Sequence, residues 1–258
     1  LDGIRTKFAR RGMAHHEYRL GFDDQGVIQA AELTLAARCG YSADLSDSIV
    51  DRAMFHADNA YCLQNAQITG YRCRTNTVSN TAFRGFGGPQ GMLTIEAAMD
   101  HMASTLDIDP VDVRLRNLYR PGNDETPYGQ KVTDFRLGRM MDQLIEQSHY
   151  RQRRQGIAEF NARQSYLRRG LALTPVKFGI SFTATHLNQA GALIHIYSDG
   201  SVHLNHGGTE MGQGLLTKVQ QIVASAFGVS TALVQVSATA TDKVPNTSPT
   251  AASSGTDL

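Results

Sequence analysis

The sequence predicts an α+β protein built as two mixed sheet-and-helix subdomains. Strand-like alternation occupies the early part of the chain and returns after residue 170, with helical patterns between. Twice, a glycine-rich loop stands between a strand pattern and a helix pattern. With 258 residues, 41% of them hydrophobic, there is enough apolar material for two cores.

Each element has a local reason. Glu17–Phe22, a turn at Asp23–Gly26 and Val27–Arg38 read as a hairpin, and Gln67–Thr75 as another strand. A helix is expected from Pro89 to Leu106, because proline suits a first helical position. Met92, Ile95, Met99, Met102 and Leu106 then share one stripe. Asp109-Pro110 starts a short helix ending near Tyr119. Residues 120–130 hold prolines, glycines and polar residues and read as a loop. Arg139–Ser148 and Tyr150–Gln164 are polar amphipathic helices, and Arg151, Arg153, Arg154, Arg163, Arg168 and Arg169 read as a solvated face or a contact with further chain rather than as an anion patch. A boundary falls near Arg169-Gly170, giving subdomains 1–169 and 170–258. Beyond it, Leu171–Thr174 and Val176–Thr183 read as strands, and Ala192–Tyr197 with Val202–Asn205 as a hairpin around Ser198-Asp199-Gly200. A helix carrying Leu216, Val219, Ile222, Val223 and Phe227 stops at Gly228. Leu233–Ala240 is a last strand.

Composition excludes several classes. A net charge of +1 gives no bulk attraction for nucleic acid. No apolar run reaches the roughly 20 residues of a membrane helix, and Leu1–Lys7 lacks a secretory signal's apolar stretch. Three cysteines (Cys39, Cys62, Cys73) without a CxxC argue against a disulfide framework and against a zinc or iron–sulfur site. Reduced thiols in a cytoplasmic protein are expected. Neither end resembles a natural terminus, so the chain is expected to be an incomplete, internal piece of a longer protein.

The chemistry concentrates in three loops. Phe83-Arg84-Gly85-Phe86-Gly87-Gly88-Pro89-Gln90-Gly91 places four glycines among two aromatic rings and an arginine. Glycine lets a backbone approach another surface closely, and a plain turn has no need of the rings. The second loop is Gly207–Gly214. The third, Asn246–Gly255, is rich in hydroxyls, from Thr247 and Ser248 to Ser253 and Ser254. Two of these loops end in helices, whose N-terminal N–H groups attract anions. The common nucleotide motifs fail: no GxxxxGK[ST] is present, and a GxGxxG at Gly85 breaks at Gln90. GxSxG and HExxH are absent too. His203 and His206 have no fixed shared face and read as structural, His15-His16 as a polar strand edge, and Glu210 as a cap or hydrogen-bond acceptor. An anion- or nucleotide-binding module without catalysis stays open on these grounds.

Five segments in order, Asn80–Gln90, Phe178–Thr183, Leu187–Ala192, Gly207–Gly214 and Val244–Ser253, resemble the molybdenum hydroxylases of the xanthine dehydrogenase type. The resemblance implies the molybdenum-cofactor-binding fold of the xanthine oxidase and aldehyde oxidase kind, with a molybdopterin whose dithiolene holds the Mo, so that no side chain ligates the metal directly. By motif, the Phe83 and Arg84 backbone lies near the Mo ligands. Met211, Gly212 and Gln213 line the pterin, while Thr250, Ala251, Ala252, Ser253 and Ser254 hold its polar edge and phosphate. Gly255 stands where some relatives have serine. Phe86 and Phe182 resemble the rings that sandwich a purine, Thr183 a hydrogen-bonding partner for it, and Ala82 and Ala252 the residues that leave it room. Arg52 resembles the arginine that binds the purine and offsets charge developing in oxidative hydroxylation. Aldehyde oxidases usually lack it, and carbon monoxide dehydrogenases carry a cysteine within the loop equivalent to 82–88, so purine hydroxylation is favoured over aldehyde or other N-heterocycle oxidation. The resemblance further implies iron–sulfur clusters and FAD on other parts of a dimeric cytoplasmic enzyme of purine catabolism. The glutamate base is expected after Leu258, leaving this piece inactive alone.

Overall fold

The computed structural model describes residues 13–240, 248 and 250–256, so Thr247 and the stretch 244–246 of the third loop lie outside the described residues. The chain divides into two compact units, one ending at Phe178 and the other beginning at Gly179.

The first unit is built on a three-stranded sheet. Strand β1 (Met13–Phe22) pairs antiparallel with β2 (Ile28–Gly40), which pairs parallel with β3 (Ala66–Arg74). Its turn is tied by the Asp23 carboxylate, which accepts from the amides of Gln25 and Val27. A parallel pair needs a crossover, and helix α1 (Ser46–Met54) lies within it. No stripe in the sequence announces α1, which was not expected. Helix α2 (Gly88–Leu106) covers the sheet, burying Ile95, Ala98, Met99 and Met102 against Leu33, Leu35 and Tyr18. Asp109 caps α3 (Pro110–Asn117) by accepting from the Val111 amide. Helices α4 (Arg136–Gln147) and α5 (Tyr150–Arg163) bury little beyond Met141 and Tyr150. The α5 arginines are engaged locally: Arg151 with Asp112, Arg154 with Asp109 at 3.5 Å.

The second unit holds a sheet in the order β4-β5-β6, from β4 (Ala192–Ile196), β5 (Val202–His206) and β6 (Val234–Val236). Val202 and Leu204 pack on Leu215, Val219 and Val223 of α6 (Leu215–Phe227), and Gly228 ends that helix at φ +66°.

Two strand expectations are corrected. Residues 171–183 join no ladder; their backbone bonds to side chains and loops instead. Of 233–240 only Val234–Val236 pairs, after a short turn. His15-His16 is not a simple polar edge either, since His16 is buried and bonded to Thr94.

Candidate cofactor and substrate site

In the first unit the glycine loop is fitted against α1. Gly87 lies at φ +104°, and a Cβ there would collide with the Ile49 carbonyl. A Cβ on Gly91 would collide with the Ala53 carbonyl, and one on Gly88 with the Phe178 ring. Glycine is therefore demanded by close approach of α2 to the backbone of α1. Phe86 adopts φ +52°, an uncommon left-handed conformation for an aromatic residue, and its amide donates to the Phe83 carbonyl at 2.7 Å. Phe83 is exposed, as is Arg84; Ala82 and Phe86 are half-buried.

The same close approach fixes Arg52, which sits in the last turn of α1 and is 4% exposed. Its guanidinium carbon lies 5.4 Å from the centre of the Phe178 ring. His56 stands one turn on; its Nδ1 bonds to the Arg52 carbonyl at 2.8 Å, and its ring meets Phe178 at 4.6 Å. Burial lowers the Arg52 pKa, yet a guanidinium stays charged. Burial, with Arg52 and Lys177 nearby, brings His56 down to about 4, so it is neutral at pH 7.

Phe178 is placed by a clamp that sequence reasoning missed. Asn59, at φ +44°, donates to the Pro175 carbonyl at 2.9 Å and accepts from the Lys177 amide at 3.1 Å. The Lys177 ammonium donates to Asp58 at 2.6 Å, and Tyr119 donates to the same carboxylate oxygen at 2.7 Å. Asp58 is fully buried, and burial raises its pKa against the pull of Lys177. The signal was available: His56, Asp58 and Asn59 interrupt an otherwise apolar stretch from Ala53 to Leu63.

In the second unit three motifs converge. The Thr209 amide donates to the Thr250 hydroxyl at 2.8 Å, and the Ser181 amide to the Ala252 carbonyl at 2.8 Å. Phe182 is buried, its amide held by Asn188 at 2.7 Å, with Thr183 half-buried beside it. Ala252 and Ser253 both take φ +58°, the left-handed region that side chains disfavour. Ser254 is buried and donates to the Ala251 carbonyl at 2.9 Å. A Cβ on Gly255 would approach Leu215 at 3.3 Å, so the serine of some relatives needs only a slight shift.

One expectation changes character here. The N–H groups before α6 are not open to an outside anion, because the Glu210 carboxylate accepts from Gly212 at 2.7 Å and from Gly214 and Leu216 at 3.1 Å. Those bonds hold its pKa below the usual carboxylate range. Gln213 likewise accepts from the Met211 amide at 2.6 Å and donates to the Thr209 carbonyl at 2.8 Å. The loop is internally tied, with Met211 and Gly212 exposed and Gln213 half-buried. His203 and His206 fall on opposite faces of β5. Among the described residues no group of three or more His, Cys, Asp or Glu side chains is placed to hold a metal ion.

The glycine-fitted start of α2 in the first unit and, in the second, the strained hydroxyl-rich loops are each features that suit cofactor binding. Residues 4–118 match one molybdopterin cofactor-binding domain and residues 143–258 a second. The chain belongs to the molybdopterin cofactor-binding domain family. It is 48% identical over 241 residues to xanthine dehydrogenase/oxidase of Gallus gallus, and 49% identical over 242 residues to that of Mus musculus. Those alignments take in 93% and 94% of this chain and 18% of each relative. In fold it is similar to quinoline 2-oxidoreductase from Pseudomonas putida 86, with a TM-score of 0.76 at 24% identity, over 94% of this chain and 32% of that one. It is similar too to CO dehydrogenase from Oligotropha carboxidovorans, with a TM-score of 0.73 at 21% identity, over 93% and 32%.

The residues present fit molybdopterin. The second unit offers hydroxyls, strained turns and a buried, unpartnered histidine nitrogen, His206 Nε2, beside the loops. These suit a ligand with a phosphate and polar ring edges.

Proposed function

We propose that this chain supplies cofactor- and purine-binding residues of a molybdenum hydroxylase that oxidises hypoxanthine and xanthine to urate. The observation that carries this reading is Arg52, a cation 4% exposed and pinned beside the glycine loop, in a chain nearly half identical to xanthine dehydrogenases. Molybdopterin, when bound, supplies a redox-active molybdenum that accepts two electrons. The protein's part is to bind and orient. Arg52 binds the purine and stabilises negative charge developing on it, as preorganised charge does in a dry site. Phe86 and Phe182 sandwich the purine, one ring stacking and the other edge-on. Thr183 hydrogen-bonds the purine, and Ala82 and Ala252 leave it space. The Phe83 and Arg84 backbone, Met211, Gly212, Gln213 and Thr250–Ser254 hold the pterin. Electrons leave through iron–sulfur and FAD domains of the complete enzyme, a cytoplasmic dimer of purine breakdown. No described helix is long and apolar enough to cross a membrane.

The test uses the full-length protein. Arg52→Ala is expected to lower kcat/KM for xanthine by about 100-fold or more and to leave aldehyde turnover nearly unchanged. Equal losses on both substrates would overturn the assignment.

A further inference from the structure

His206 closes β5 on the same face as Val202 and Leu204 and is 8% exposed. Its Nδ1 lies 2.9 Å from the Gly208 amide nitrogen. An amide N–H only donates, so Nδ1 is the acceptor and the ring proton sits on Nε2. Burial depresses the ring's pKa, which keeps it in this neutral form. Nε2 is buried and without a hydrogen-bond partner. A buried donor in that state calls for an acceptor.

The histidine lines a cavity of about 150 Å³ in the second unit, together with Gln189, Thr250, Ser254 and Thr256. None of its lining residues among those described carries a carboxylate. The Thr250 oxygen already accepts from Thr209, so its hydroxyl proton is available to donate. The Ser254 proton is committed to the Ala251 carbonyl. The cavity thus presents neutral donors, His206 Nε2–H and the Thr250 hydroxyl among them, beside the glycine loop that follows β5. It is large enough for more than a single water.

We propose that His206, which lies outside both loop motifs, is a direct ligand through Nε2–H to the phosphate of bound molybdopterin, which the resemblance already assigns to the loop lining this cavity. This rests on the cofactor reading above. Thr250 donates to the same group. The Gly208 amide, by fixing the tautomer, keeps the imidazole a donor rather than an acceptor that would repel phosphate oxygens.

The experiment compares full-length wild type, His206→Leu and His206→Gln. Pterin and molybdenum content per chain are measured, and melting temperatures are taken for loaded and cofactor-stripped protein. His206→Leu should carry at least about fivefold less pterin and lose most of the melting-temperature gain on loading. His206→Leu removes the acceptor of the Gly208 amide along with the unpartnered donor, so any loss in its stripped form should be smaller than its loss in the loaded form. His206→Gln, which keeps an N–H donor, should retain at least about half of the pterin. A leucine variant with full pterin content overturns the inference, as does an equal fall in loaded and stripped melting temperatures. So does a glutamine variant that folds but carries no pterin. Wild type without pterin or molybdenum would remove the cofactor reading itself, and this inference with it.

Discussion

Gly87 and Gly91 set the finest scale of the site. A methyl group at either meets a backbone carbonyl of α1, and backbone cannot step aside as a side chain does. Gly87→Ala adds left-handed strain to the collision. Each alanine variant of the full-length protein is expected to lose about 2–4 kcal/mol, by analogy with overpacking and strain elsewhere; chemical denaturation reads it directly. These glycines were legible in the sequence because four in nine positions announce a close approach. Two histidines of the same unit were not. His16 is held at about 4 by burial, with His15 adding to the effect, and His56 at a similar value. Both folded values lie below the unfolded 6.5. The unfolded chain therefore binds more protons, and stability is full above pH 6.5 and falls as pH drops towards 4. Denaturation midpoints between pH 7 and 4.5 should decline, and His16→Gln should flatten part of that slope.

At the scale of the element, the segment 175–178 shows why sequence pattern misled. Val176, Phe178, Ile180 and Phe182 alternate as a strand does, yet among the described residues no strand offers them a ladder. Asn59 supplies the hydrogen bonds that a strand would have supplied. Periodicity reports which residues alternate, and says nothing of what pairs with the backbone. The clamp predicts its own failure. Lys177→Met leaves the Asp58 carboxylate buried without its cation, which typically costs about 3–5 kcal/mol. Denaturation should show a loss of that order, and Asp58→Asn/Lys177→Met together should recover part of it, since the double variant leaves no unpaired charge. If the double variant is as unstable as the single, the ion pair is not what holds the segment. By contrast the hairpin of β4 and β5, helix α2 with its methionine stripe and the Gly228 stop were all readable, because local chemistry alone determines them.

Across the whole molecule, the sequence disclosed motifs better than partners. Loops with glycine, hydroxyl and aromatic residues stand out in a linear text, and their order carried the resemblance that the domain matches support. The polar interior did not stand out. Glu96 accepts from Tyr61 and Arg114 at 2.5 and 2.7 Å, and Asp58 from Tyr119 and Lys177, across separations of up to 119 residues. Such pairings depend on topology, which no local window contains. The prediction at this scale is compositional: the purified full-length protein should contain molybdenum and pterin in constant ratio, and stripping them should lower its melting temperature. Elemental analysis beside a thermal melt checks both.

The Glu210 carboxylate has one more implication. It satisfies three amides of its own loop with no help from outside, so the loop holds its shape before any ligand arrives. A loop tied by its own carboxylate needs no outside anion to complete the start of α6, so whatever binds there meets a turn already formed.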